Sequence, residues 1–135
     1  GKKVCVVGRS NLVGKPTALL LLNHNATVTV CHSKTANLAG ETKAADIIVV
    51  AAGLPRLITV RHVRKHQTII DVGINLSTKK LEEEISEARL VGDVDFRAVS
   101  KVVKAISPVP GGVGLLTVAS LFENLLQAAA SNRVL

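Results

Sequence analysis

The sequence predicts an α/β fold, a doubly wound and mainly parallel β-sheet with helices on both faces. Short β-branched runs recur along the chain and alternate with helical or turn-like stretches. Several of these runs, Val4-Cys5-Val6-Val7, Ile47-Ile48-Val49-Val50 and Ile69-Ile70, are apolar without interruption. Strands buried on both faces of a helix-covered parallel sheet look like this. A chain of 135 residues that is 47% hydrophobic also suits a single domain, spanning 1–135, with a packed core.

The first strand is expected at Lys3–Val7 and the first helix at Gly14–Asn23. Pro16 sits in that helix's first turn, where its missing N–H does no harm, and Leu19 to Leu22 are expected to bury the helix. A strand at Thr27–Cys31 and a helix over Asn37–Ala45 follow, then a strand at Asp46–Ala51. A helix is predicted over Ile58–Lys65, a strand at Thr68–Val72, and a weaker strand at Leu90–Val94. Between these last two, Ser77–Arg89 carries Glu82, Glu83, Glu84 and Glu87 among Lys79, Lys80 and Arg89. It reads as a solvated excursion or short surface helix. A helix over Phe96–Val103 and a weak strand at Ala105–Ser107 precede the longest helix, about Gly114–Ala130. There Leu115, Val118, Phe122, Leu125 and Ala129 recur in steps of three and four as one apolar stripe. Parallel strands need right-handed crossovers, so helices must cover both faces of this Rossmann-like sheet.

Composition excludes several functions. Phe96 and Phe122 are the only aromatic residues, which argues against nucleic-acid modules built on stacking platforms. No apolar run is expected to approach the roughly 18 residues of a membrane span, and no signal-peptide pattern opens the chain. Cys5 and Cys31 lie in Val-rich runs and read as small buried hydrophobes of a reducing compartment, with no metal site expected. The expected setting is cytoplasmic. The formal charge of +7 fits either a solvated lysine-rich surface or a field that attracts an anion such as a nucleotide phosphate or a polycarboxylate.

The most informative stretch is Val6-Val7-Gly8-Arg9-Ser10-Asn11-Leu12-Val13-Gly14-Lys15-Pro16. A buried strand ends at Gly8, a turn follows, and a helix begins near Gly14. Such a helix N-terminus is expected to present free N–H groups and a positive dipole end to an anion. The glycines let the backbone approach a pyrophosphate closely. The spacing departs from G-x-G-x-x-G: Ser10 replaces the second glycine, and the last glycine comes one residue late. A tight turn that needs glycine only for its conformation remains the alternative.

The end of the second strand sharpens the ligand. An NAD-type site places Asp or Glu there to hold the ribose hydroxyls. Here Val30-Cys31 runs into His32-Ser33-Lys34-Thr35, with no carboxylate until Glu41. A 2′-phosphate suits that setting. Ser33 offers a hydroxyl, and Arg9 offers a charge-assisted fork. Charged hydrogen bonds of about 1.5–3 kcal/mol each would favour NADP over NAD by roughly ten- to several-hundred-fold.

The turn Gly8-Arg9-Ser10 with Val13-Gly14-Lys15-Pro16 resembles the signature of the bifunctional methylenetetrahydrofolate dehydrogenase/methenyltetrahydrofolate cyclohydrolase family. The resemblance runs on through Ala26–Ser33, Asp46–Gly53, Asp71-Val72-Gly73-Ile74-Asn75, Gly92-Asp93-Val94-Asp95-Phe96 and Pro108-Val109-Pro110-Gly111-Gly112-Val113-Gly114. It implies the cofactor domain of an enzyme that oxidises 5,10-methylenetetrahydrofolate with NADP and hydrolyses the methenyl product to 10-formyltetrahydrofolate. Gly8, Arg9, Ser10, Val13 and Gly14 would then bind the cofactor, with Ser33 beside the 2′-phosphate. Ile74 would line the nicotinamide pocket, and Pro108, Pro110, Gly111 and Gly112 the substrate-cleft loop. Two departures stand out: Leu76 replaces the family's usual Arg, and Leu115-Leu116 its usual Pro-Met, a change expected to loosen the loop.

The family's catalytic lysine and tyrosine belong to an amino-terminal folate domain, which is expected to be absent from this chain. No catalytic residue is therefore assigned here. Asp71, Asp93 and Asp95 sit at strand ends, where single carboxylates usually cap helices or hold loops. The resemblance also implies tetrahydrofolate derivatives as partners through that other domain, and a homodimer with Leu121 and Leu125 exposed. The chain alone is expected to bind NADP but turn over poorly. A nucleotide-sensing module without chemistry is the alternative, and a basic nucleic-acid-binding domain a weaker one.

Overall fold

The computed structural model describes residues 1–78 and 88–131. Along the chain run β1 (Lys3–Val7), α1 (Gly14–Asn23), β2 (Thr27–Cys31), α2 (Leu38–Ala44) and β3 (Ile47–Val50). A single 3-10 turn at Val60–His62, β4 (Thr68–Asp71), β5 (Asn75–Thr78) and β6 (Ala88–Val91) follow. The remaining elements are α3 (Phe96–Val99), β7 (Ala105–Ile106) and α4 (Val113–Ser131). Five strands make one parallel sheet in the order β2-β1-β3-β4-β7. The strand order reverses beside β1, and open sheets of this kind leave a crevice there, above the carboxyl ends.

The continuously apolar strands are explained by what lies on each side of them. Cys5 and Val7 of β1 join Ile48, Val50 and Ile69 in a core closed by Val63, Val99 and Leu38. Val4, Val6 and Val49 point the other way and pack on Ala18 and Leu21 of α1. Buried Gln67 ties the first layer together: its amide nitrogen donates to the carbonyls of Thr42 and Ala45 at 2.8 and 2.7 Å, satisfying the end of α2.

Five expectations need correction, the first being the helix expected over Phe96–Val103, which ends at Val99 and passes into a turn. The helix expected over Ile58–Lys65 is only the turn Val60–His62, closed at both ends by the reciprocal Thr59–His62 cap and stopped by extended Val63. The strand expected at Leu90–Val94 does not join the main sheet. Its first residues lie in β6, which pairs antiparallel with β5, and Val94 makes only an isolated bridge to Ile58. Leu19, Leu20 and Leu22 do not bury α1. They are 63%, 58% and 51% exposed, because the helix approaches the sheet through its smallest residues, Gly14 and Ala18. The excursion expected at Ser77–Arg89 begins and ends as strand, and residues 79–87 lie outside the described set.

None of the residues of the α4 stripe is buried among the described residues. At 19 residues with mean hydropathy 1.4, α4 is long and apolar enough to cross a membrane by length and composition alone, although its sequence is interrupted by polar residues such as Glu123. The core helix of a soluble protein passes the same test.

Candidate functional site

A cleft of about 410 Å³ opens above the carboxyl ends of β1, β2 and β3. Gly8, Arg9 and Ser10 form one wall, and His32, Ser33 and Thr35 another. Apolar Leu38, Ala52, Leu54 and Leu57 form the rest, and the residues that line it include no carboxylate. The wall depends on glycine. Gly8 has φ +123°, and a Cβ there would run into the carbonyl oxygen of Ala51. Its amide donates to the carbonyl of Cys31 at 2.9 Å, pinning the turn to the end of β2.

The helix N-terminus differs from the bare row of amides expected. Ser10 Oγ accepts from the amides of Val13 and Gly14 at 3.1 and 3.3 Å, and the Ser10 carbonyl accepts from Lys15 at 3.0 Å. A serine four residues ahead of the first helical residue competes well for those donors, so they are satisfied internally. The hydroxyl keeps its own proton to donate toward the cleft. Val13 and Gly14 therefore lie behind the wall, not in it. Gly14 packs so tightly on the turn that a Cβ would strike the Gly8 carbonyl.

The second wall is shaped by local polar contacts. The amide of His32 donates to Thr35 Oγ1 at 2.9 Å, and the amide of Lys34 donates to His32 Nδ1 at 3.1 Å. These bonds fold the loop back and leave Ser33 exposed at the cleft. Thr35 and the apolar lining were not singled out from sequence. Their signal was the run Ala51-Ala52-Gly53-Leu54 directly after a buried strand. Below the cleft, Cys5 and Cys31 place their sulfurs 3.5 Å apart as free thiols. Burial raises both above the usual thiol range.

Ile74 lies elsewhere. It shares a smaller cleft, about 190 Å³, with Pro108, Pro110, Gly111 and Gly112, above the ends of β4 and β7. This cleft is mainly apolar. Leu115 also lines it, and its amide donates to the Gly112 carbonyl at 3.2 Å, a bond that proline could not make. The expected loosening of the loop at this substitution is thus offset by an added hydrogen bond. Leu76 is 71% exposed on β5.

The three aspartates hold backbone. Asp95 caps α3, accepting from the amide of Ala98 at 3.4 Å. Asp71 and Asp93, both buried, accept amides from the loops between the two clefts. Burial raises Asp71 above the ordinary carboxylate range and the nearby Asp93 charge adds to the shift, against the lowering by the amides of Val94, Asp93 and Gly73.

Comparison with known proteins places this geometry. The model of the tetrahydrofolate dehydrogenase/cyclohydrolase NAD(P)-binding domain matches residues 1–133. The chain belongs to this family. It is 49% identical over 129 residues to bifunctional protein FolD 2 of Geobacter sulfurreducens, covering 96% of this chain and 42% of that protein. It is 52% identical over 129 residues to bifunctional protein FolD of Nitrosospira multiformis, with coverage of 96% and 42%. The Trypanosoma brucei methylenetetrahydrofolate dehydrogenase-cyclohydrolase, solved with NADP cofactor and inhibitor, superposes with TM-score 0.91 at 40% identity, covering 100% of this chain and 46% of that one. The chain thus spans less than half the length of the relatives it matches. The mainly parallel sheet expected from the apolar runs is the sheet of this NAD(P)-binding domain.

Proposed function

We propose that this domain binds NADP for an enzyme that oxidises 5,10-methylenetetrahydrofolate and hydrolyses the methenyl product to 10-formyltetrahydrofolate. The observation that carries the cofactor assignment is the larger cleft, where Arg9, Ser10 and Ser33 line one space without a carboxylate. A 2′-phosphate fits there, and an NAD-type acidic residue would repel it. Arg9 would fork onto that phosphate beside the Ser33 hydroxyl, while Ser10 donates its remaining proton to the pyrophosphate. The bound nicotinamide supplies the hydride acceptor. Ile74 and the Pro108–Gly112 loop would give its end of the cofactor an apolar wall.

The folate-binding and proton-transferring groups are assigned to sequence outside these 135 residues, in keeping with the extra length of the relatives. The exposed apolar side chains of α4, Leu125 of the stripe and Leu121 beside it among them, suit burial against that folate domain. A homodimer in the cytoplasm is part of this proposal. Apolar side chains left open on α1 support the first, and the paired free thiols suit a reducing compartment.

The test follows from composition. Without Trp or Tyr the protein adds little fluorescence of its own, so NADPH emission can be titrated directly. Saturable enhancement with NADPH and a much weaker response to NADH are expected. Equal affinities would remove the 2′-phosphate assignment, and no response to either would remove the cofactor reading. Adding a separately produced folate domain from a relative should restore hydride transfer. Continued inertness would favour a nucleotide-sensing module.

A further inference from the structure

Between the two clefts lies a pair of buried carboxylates with no cationic partner among the described residues. Asp93 is fully buried. One oxygen accepts from the successive amides of Ala52 and Gly53 at 2.7 and 2.8 Å, and the other from Asn75 Nδ2 at 2.8 Å. Asp71 accepts from Gly73 and Asp93 at 3.0 and 3.1 Å on one oxygen, and from Val94 at 3.0 Å on the other. The Asp71 amide donates in turn to Ser107 Oγ at 2.8 Å, directly before the proline loop. Two glycines make room: a Cβ at Gly73 would strike the Asp93 carboxyl, and one at Gly92 the Asp71 carboxyl.

Two buried anions are a poor way to gain stability, since apolar replacements of buried charge are often as good or better. What a carboxylate supplies is two acceptor oxygens in one rigid plane, each able to hold a different loop. Here the loops belong to different clefts. Ala52 lines the larger one, and Gly73 and Ile74 line the smaller one. From β2 to β4 is three strand spacings, about 14 Å, so a ligand that fills both clefts must bridge that gap.

We propose that Asp93 is a positioning residue: it fixes the Ala52–Gly53 loop against the Gly73–Asn75 loop so that the two clefts accept one dinucleotide. Asn75 is the arm on the nicotinamide side. This rests on the NADP reading. It adds a residue through which the adenosine and nicotinamide ends are coupled.

The test compares the whole cofactor with its adenosine half in the same chain. NADPH spans both clefts, whereas 2′,5′-ADP needs only the larger. Asn75→Ala should weaken NADPH about tenfold, the equivalent of one charge-assisted hydrogen bond, while 2′,5′-ADP stays within about twofold. Asp93→Asn leaves one acceptor oxygen for two loops and should show the same split if it folds, as judged by its melting transition. Equal weakening of both ligands in Asn75→Ala would mean a general structural role and overturn the inference, as would no weakening of either. Failure of the parent chain to bind either ligand would instead defeat the NADP reading itself, and this inference with it.

Discussion

The larger cleft sets polar side chains on short turns, Arg9, Ser10 and Ser33, against an apolar remainder, whereas the smaller is walled mainly by proline, glycine and apolar side chains. Both sit on the carboxyl edge of one sheet, and both contain a glycine at positive φ. Gly8 has φ +123° with the Ala51 carbonyl against it, and Gly111 has φ +94° with open space around it. The first turn is locked by its neighbours, and the second is shaped by its own chain. The lesson is that the turn at the larger cleft, proposed for the phosphates, leaves no room for a side chain, while the turn at the smaller cleft, proposed for the nicotinamide, does.

The largest effect expected breaks this contrast directly. Gly8→Ala meets both backbone strain, about 1–3 kcal/mol, and a steric conflict worth about as much again. Gly111→Ala meets only the strain of a left-handed residue, roughly 1–2 kcal/mol. Thermal melts should rank Gly8→Ala well below Gly111→Ala, and NADPH titration should show binding lost in the first alone. Similar melting temperatures would mean that the two turns are equally adaptable.

A second experiment sharpens the chemical side of the comparison. Arg9→Ala should reduce the preference for NADPH over NADH by about 1.5–3 kcal/mol, roughly ten- to a hundredfold. Affinity for NADH should hardly change, because the phosphate that Arg9 is proposed to hold is missing from it. An equal loss for both nucleotides would place Arg9 on the pyrophosphate.

Much of this arrangement was legible before the fold was known. Gly8, Arg9, Ser10 and Ser33 flank strands whose apolar runs fix their positions, so their meeting in one cleft follows from parallel pairing of β1 with β2. The same logic put Ile74 after β4. Three features escaped because they depend on tertiary detail. Ser10 turns back to cap α1, a choice made by geometry three residues away. Leu19 and Leu20 stay exposed because α1 meets the sheet through Gly14 and Ala18, and a run of four leucines has no single face to show this. The bridging of two loops by Asp93 joins residues forty and more positions apart, which no local pattern encodes.

The smallest effect concerns the floor under the larger cleft, where Val63 and Leu57 close the core beside the Thr59–His62 turn. His62 Nδ1 accepts from the Thr59 amide at 3.1 Å, a role only an unprotonated nitrogen can fill. Burial, followed by the Arg61 charge, lowers its pKa below the ordinary histidine value of 6.5, so the unfolded chain binds the proton more readily. Stability through this group is therefore present above the unfolded pKa and is lost as the pH falls through 6.5 toward the depressed folded value. Melting temperature should decline over that window in the parent chain, and the decline should shrink in His62→Asn, whose amide oxygen can still accept. Acidification should not weaken the fold through Asp71. Its raised pKa has the opposite sign, so the penalty it imposes at neutral pH is relieved as the carboxylate takes up a proton. An unchanged slope in His62→Asn would show that some other group governs the acid limb and that this turn contributes no proton linkage to the cleft above it.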